Sequence, residues 1–402
     1  MADSLRSKLN PLYKKLFAST GIFDRPEVEE KRATCDNCAM CDQGQLAPVE
    51  MDYFRPDTKC CTYHPGLPNY LVGAILADTG EELAEGRRRI RKKLEARIGV
   101  TPQYLTAPRK YTLLYVASRS EGAFGRAKSL LCPYFDSEND GRCTVWQYRE
   151  SVCSTYFCKH ESSKPGWGFW NTLKGYLAHV ERTLARATAA TVDPEVTQPT
   201  REPHTLSVED LEDRPPPDDE YARYWGKWVG REEEFYVSCY QAANKVSAEE
   251  FAQNVDDTPD GRRYVAELES RYDAITARTV LPLSLVRAPD VKTRFAGDNV
   301  VLTTYNPFDA LSMEKELFEV LGLFDGTKSL EENLARLDKE HDIQLAPELL
   351  QYLYTHGVVV EPVAPPRPPP PTGAAVFRAM AVSPAGRGGN RQDRRSAQKK
   401  KR

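Results

Sequence analysis

The chain has 402 residues, 40% of them hydrophobic and 28% charged, with a formal net charge of −3. This length provides for two or three domains with real cores, and the composition is that of an ordinary soluble protein. The near-neutral balance conceals a basic stretch from Arg387 to Arg402, so the rest is acidic and a body-wide nucleic-acid surface is not indicated. The N-terminus lacks the apolar core of a signal peptide, and no run of about 18 apolar residues occurs. A cytoplasmic protein with no membrane partner is therefore expected.

Residues 1–34 are expected to form a short amphipathic helix and a loop, with Leu5, Leu9, Leu12 and Leu16 near one face and Asn10-Pro11 interrupting it. Residues 35–66 are irregular and carry Cys35, Cys38 and Cys41, then the adjacent pair Cys60 and Cys61; His64, three residues on, is a candidate ligand or a structural histidine. Leu71 to Leu76 is expected to be a short strand, and Glu81 to Ile98 a helix. The basic run of that helix, Arg87 to Lys93, faces Glu81, Glu82, Glu85 and Glu95 at helical spacing and reads as a solvated charged face. Tyr111 to Ser118 alternates and is expected to be a strand.

A second cysteine block follows, C-P-Y-F…G-R-C-T-V-W-Q-Y-R-E-S-V-C-S-T-Y-F-C-K-H, with Cys132, Cys143, Cys153 and Cys158. Asn139-Asp140-Gly141 is a turn signal that folds Cys132 back toward Cys143. Val145 to Arg149 reads as a short strand or tight turn. Arg149 is suited to stabilise thiolates, or else to pair with Glu150 or Asp136. Trp170, Leu173, Leu177, Val180 and Leu184 mark a helix to about Ala190, a lid over the cysteine layer. His160 and His179 show no diagnostic ligand spacing.

Residues 191–219 are rich in Pro, Thr and acids and read as a linker. Tyr221 to Tyr272 is expected to form two helices with a core aromatic face of Tyr221, Tyr224, Trp225, Trp228, Phe235 and Tyr236; Cys239 there reads as a small buried hydrophobe. From 281 to 361, Leu285-Val286-Arg287 and Val300-Val301-Leu302 suggest a β-hairpin. Three helices follow: one carrying Leu317, Val320, Leu321 and Phe324, one opened by the capping box Ser329-x-x-Glu332, and one opened by Pro347 and stopped by Gly357. Val358 to Val360 returns as a strand. After Pro362 the chain is Pro-rich and then basic, and disorder is expected.

Nine of the ten cysteines precede residue 160. Disulfide frameworks belong mostly to short secreted domains, whereas clustered thiols with C-x2-C spacing in a long chain without a leader read as metal ligands. The ligand candidates are Cys132, Cys143, Cys153 and Cys158, then Cys35, Cys38 and Cys41, and then Cys60 and Cys61. Four thiolates suit a closed zinc site or an iron–sulfur cluster, and the spacing does not say whether there is one site or two. The phosphate loop, the dinucleotide fingerprint, the serine-hydrolase elbow and the H-E-x-x-H motif are all missing.

The second block resembles the CxxCxxCC family, the YkgJ-type zinc- or iron-chelating proteins, over about residues 35–180. It departs from that pattern in the first block, where about 18 residues separate Cys41 from Cys60. The resemblance implies an iron–sulfur cluster or iron in preference to zinc. Since some flagellin lysine methylases are similar to this family, it also leaves open an enzyme that modifies a protein or peptide. The run L-F-E-V-L-G-L-F-D-G-T-K-S-L-E-E-N-L is similar to PqqD-like domains, which implies a winged-helix-like module that docks a peptide along a strand edge.

The expected architecture is α+β. An N-terminal helix and loop (1–34) leads to an irregular cysteine-rich metal-binding domain with a helical lid (35–190) and a linker (191–219). A helical segment (220–275), a small winged-helix-like module (276–362) and a disordered tail (363–402) follow. The expected function is metal binding with a peptide or protein partner. Nucleic acid is suggested only by the basic tail, since the third helix of the module, Pro347 to Tyr354, has no Lys or Arg.

Overall fold

The computed structural model describes residues 4–41, 53–118, 122–139, 141–199 and 207–362. The tail expected at 363–402, and residues 200–206 of the expected linker, lie outside the described residues. The architecture is α+β: many helices with four small antiparallel sheets among the described residues.

The N-terminal segment opens with a 3-10 turn at Leu5–Lys8, followed by α1 (Pro11–Leu16). Pro11 starts α1 rather than breaking it, because a proline at the first helical position lacks only an N–H that would be unpaired anyway. Asn10 caps the helix by accepting the Tyr13 N–H at 2.9 Å. Leu5, Leu12 and Leu16 are buried.

β1 (Leu67–Pro68) leads into α2 (Asn69–Ala77). The strand expected at Leu71 to Leu76 is thus a helix. Every residue from Asn69 to Leu76 is buried, so the element has no polar face to reveal a helical period. Gly73 makes this burial possible, since a Cβ there would stand 1.9 Å from the Tyr236 carbonyl oxygen. α3 (Ala84–Ala96) carries the basic run, and Arg88 and Arg89 pair with Glu85 while Arg91 pairs with Glu233. β2 (Tyr104–Leu105) pairs with β1. The strand expected at Tyr111 to Ser118 is also a helix, α4 (Arg109–Ala117). Its alternation is incidental: Tyr111 and Tyr115 stack at helical i, i+4 spacing with centroids 6.0 Å apart.

β3 (Phe135–Asp136) and β4 (Arg142–Cys143) form a two-stranded ladder with Phe135 opposite Cys143. Gly141 takes a φ of +66° at the turn between them. After a 3-10 turn at Trp146–Tyr148 come α5 (Ser151–Thr155) and α6 (Ser163–Val192). At 30 residues α6 is the spine of the molecule, burying Phe169, Leu173, Leu177, Val180 and Leu184.

Short α7 (Val208–Leu211) precedes α8 (Asp218–Trp225), α9 (Glu232–Lys245), α10 (Ala248–Phe251), a π turn at Ala252–Asp256, and α11 (Pro259–Thr276). The region expected to hold two helices is therefore more segmented, because Gly226, Gly230 and the Ser247 and Thr258 caps each restart the chain. The expected aromatic face is core, and Cys239 is fully buried within it. One apolar core joins Leu5 to Tyr272, with α6 packed against α2, α5, α9 and α11.

A separate apolar core runs from Leu285 to Val359. β5 (Val286–Arg287) pairs with β9 (Val359–Val360), while β6 (Lys292–Ala296), β7 (Asn299–Thr303) and β8 (Leu311–Glu314) form an antiparallel sheet in that order. The expected hairpin partner of Val300 to Leu302 is thus Thr293 to Phe295, not Leu285 to Arg287. β6 was hard to see because its side chains are mostly exposed and carry no apolar alternation. α12 (Lys315–Val320), α13 (Leu330–His341) and α14 (Pro347–His356) complete the region. Ser329 and Glu332 make the reciprocal capping box, and Gly357 ends α14 with a φ of +76°. No described helix is long and apolar enough to cross a membrane.

Candidate functional site

The nine clustered cysteines come from four stretches of chain that meet beside β3, β4 and α5. In the first, the Cys41 N–H donates to the Cys38 carbonyl at 3.0 Å, a tight turn that puts the two thiols side by side. Met40 and Cys41 are held by Phe54, whose N–H donates to the Met40 carbonyl at 2.6 Å. In the second, Lys59 has a φ of +47° and the Cys61 N–H closes a turn on Thr58 at 3.0 Å. The Cys61 carbonyl then accepts the Cys132 N–H at 2.8 Å, which ties the second stretch to the third. The third folds back through β3 and β4, bringing Cys143 toward Cys132 as the turn signal implied. In the fourth, Glu150 caps α5 by accepting the Val152 and Cys153 N–H groups at 2.8 and 2.9 Å, and Cys158 follows the helix.

The thiols are close enough to feel one another's charge. Cys35 lies within electrostatic reach of Cys60 and Cys38, Cys41 of Cys38 and Cys60, and Cys158 of Cys38 and Cys60. Cys61 lies within reach of Cys132 and Cys143, and Cys153 of the same two. Cys239 stands apart in the helical core. Cys41, Cys132 and Cys158 are buried, Cys35 is exposed, and the other five are half-buried. Among the described residues no three or more His, Cys, Asp or Glu side chains form a ready-made ion cage.

Burial governs the acidity of these groups. It pushes the Cys41, Cys132 and Cys158 thiols up to about 12 and Cys35 to about 11, and it raises Cys143 and Cys153 as well. Cys60 is held down, because the Cys61 thiol donates to its sulfur and Arg149 and Lys59 stand nearby; Cys61 is raised in consequence. Most of these thiols are therefore neutral at pH 7 unless a positive charge draws the protons off.

The site contains groups that fit such a charge. The Tyr134 N–H points at Cys132 Sγ at 3.4 Å, and backbone N–H groups of Phe135 and Val145 serve Cys132 and Cys143. Donors to sulfur of this kind favour thiolate over thiol. Arg149 lowers Cys35, Cys60 and Cys143. Its guanidinium lies 3.4 Å from the Trp146 ring centroid and donates to the Cys153 carbonyl at 3.0 Å. The alternative pairing with Glu150 or Asp136 is not the arrangement formed, since Glu150 caps α5 and Asp136 pairs with Arg89 at 3.5 Å. Lys59 Nζ donates to the Cys35 carbonyl at 3.1 Å and to the Gly141 carbonyl at 3.4 Å, pinning the first stretch to the β3–β4 turn.

His64, His160 and His179 are each engaged by groups other than the thiols. His64 is buried against Tyr111 and Tyr134, its Nδ1 3.0 Å from the Pro65 carbonyl, and burial lowers it to about 3. His179 lies against Tyr264. His160 joins a buried polar group that no spacing announced. Asp309, 1% exposed, pairs with Arg32 at 2.7 Å, accepts from Tyr305, and lies 3.8 Å from His356 Nε2. Beside it, Glu30 accepts from Trp170 Nε1 at 2.7 Å and from the Glu161 N–H at 2.6 Å. This group joins the C-terminal region to the body, and Asn306 extends it by donating to the Cys158 carbonyl at 3.0 Å. Over Cys132 opens a cleft of about 540 Å³ lined by Glu85, Arg88, Arg89 and Asp136.

Compared with protein-family models, curated proteins and solved structures, the chain matches none of them.

Proposed function

We propose that this chain is a thiolate metalloprotein that binds an iron–sulfur cluster, iron or zinc through its clustered cysteines, and that its C-terminal region docks a peptide or protein partner. The observation that carries the reading is the convergence of nine thiols from four separate stretches, with amide donors and two cations trained on them. Three of these thiols are buried, five half-buried and one exposed, so packing as small hydrophobes does not account for all nine. Bound to a metal, they would close irregular loops that lack a core of their own. The resemblance to YkgJ-type proteins inclines the choice of metal to iron.

The docking half of the proposal is supported by a three-stranded antiparallel sheet followed by three helices, which we read as a winged-helix-like plan similar to PqqD-like domains. β6 is the outer strand of its sheet, with Lys292 and Phe295 exposed along it, and an extended peptide adds to such an edge through backbone hydrogen bonds.

The test is anaerobic purification followed by metal analysis and an absorption spectrum, repeated with Cys153→Ser. A brown protein with iron and sulfide that the substitution bleaches, or a colourless one with stoichiometric zinc that the substitution lowers, is the expected result. Full-length protein that carries and takes up neither metal refutes the reading.

A further inference from the structure

We propose that the C-terminal region is a hinged cover over the Cys41 and Cys158 side of the thiol cluster, held shut by a buried charge latch and opening as a unit. The inference concerns access to the thiols and holds whether or not they carry a metal.

The latch is the loop between β7 and β8. The Asn306 side chain accepts the Phe308 N–H at 3.0 Å, and the Asn306 carbonyl accepts the Asp309 N–H at 3.2 Å, so the loop is braced from within. Three of its side chains reach the body. Asn306 donates to the Cys158 carbonyl at 3.0 Å, the Phe308 ring closes on Phe54 and Phe124, and Asp309 pairs with Arg32 at 2.7 Å. His356, at the end of α14, adds a fourth tie, with Nδ1 2.8 Å from Ser163 Oγ at the start of α6. Cys41 and Cys158 share one small apolar cluster with Phe308, whereas Cys132 belongs to the main core, whose walls come from the body alone.

Three observations indicate that this cover can lift. The C-terminal region has an apolar core of its own, so leaving the body does not empty its interior. The chain crosses from α11 to that core once, through residues 277–280, which form neither helix nor strand and leave Val280 78% exposed. Such a connector sets no fixed angle between the two cores. Finally, the join is rich in groups that water can re-solvate, and a polar join between compact regions permits relative motion. Closure desolvates the Asp309 carboxylate and leaves His160 Nδ1 and His356 Nε2 buried without hydrogen bonds. Opening removes those costs, which oppose the ion pair and the Phe308 contact that hold the cover shut.

The experiment labels the reduced, chelator-treated, full-length chain with N-ethylmaleimide at urea concentrations below the unfolding transition, reading each cysteine by mass spectrometry. Lifting the cover exposes little new surface. Labelling of Cys41 and Cys158 should therefore rise with urea at less than about one-third of the slope found for Cys239, which sits in the helical core. Asp309→Asn keeps the shape of the side chain but removes its charge, and should speed labelling of both thiols about 10-fold without urea. Tyr305→Phe removes only a hydroxyl that donates to Asp309; it should speed labelling about 3-fold, and it decides the question if Asp309→Asn fails to fold. Cys41 and Cys158 labelled with the same urea slope as Cys239 would mean that global unfolding alone reaches them, which overturns the cover. A shallow slope at a rate that neither variant raises overturns it as well, because the cysteine stretches would then be opening on their own.

Discussion

Glu30 offers a quantitative check on the buried polar group that joins the C-terminal region to the body. Burial raises its carboxyl from the usual 4.5 to about 7, and the hydrogen bonds from the Glu161 N–H and Trp170 Nε1 offset only part of that rise. A carboxyl raised in the folded state contributes stability that is fully present below its unfolded value and is lost as pH rises through its folded value. At about 1.4 kcal/mol per pH unit, the loss between pH 5 and pH 8 is about 2.5 kcal/mol. Glu30→Gln stays neutral throughout. Its amide oxygen keeps one of the two donors and its NH2 opposes the other, a penalty that does not depend on pH. Urea denaturation of both proteins at several pH values should therefore show the variant gaining on the wild type by about 2.5 kcal/mol from pH 5 to pH 8. The difference isolates Glu30, because other titrating groups are common to both proteins. A stability difference that is flat across this range would refute the argument.

Gly73→Ala should cost about 3 kcal/mol in a thermal or urea melt, because the new Cβ meets the Tyr236 backbone and forces α2 away from α9. Asp309→Ala strands Arg32 and the Tyr305 hydroxyl; since Arg32 is one-third exposed, a cost of about 2 kcal/mol is expected, with faster hydrogen exchange across residues 285–360 than along α6. Ser329→Ala removes the hydroxyl that accepts the Glu332 N–H, one half of the capping box on α13, and should cost about 1 kcal/mol, measured as a lower urea midpoint with an unchanged slope.

What was legible in the sequence had local causes. The Ser329–Glu332 box, Pro347 and Gly357 fix the ends of α13 and α14 through contacts within a few residues, and all lie where the spacing put them. The aromatic face from Tyr221 to Tyr236 was readable because its rings recur at helical spacing. α2 was not, since a helix buried on every side has no period to display. β6 failed for the opposite reason, being exposed along most of its length. The gathering of the cysteines was partly visible as crowding. Which thiols face which was not, because Cys158 meets Cys38 across most of the N-terminal half of the chain. The Arg32–Asp309 pair, separated by 277 residues, left no local trace.

The wall around Cys41 and Cys158 is built partly by the C-terminal region, and this makes a prediction that separates local from global effects. In the loop between β7 and β8, Asn306 donates to the Cys158 carbonyl, and the Phe308 ring lies 5.1 Å from Phe54 and 5.7 Å from Phe124. Phe54 in turn holds Met40 beside Cys41. Phe308 is half-buried, so truncation to alanine should cost about 2 kcal/mol, less than for a ring in the main core. If that cost falls on local opening of this cluster, the labelling rate of Cys41 and Cys158 by a thiol reagent in the metal-free protein rises about 30-fold, while Cys239 in the helical core is unaffected. Mass spectrometry of the labelled peptides reads each cysteine separately. Equal acceleration at Cys239 would mean that Phe308 supports the whole fold. No acceleration at Cys41 and Cys158 would mean that the loop lies against the thiols without closing them off.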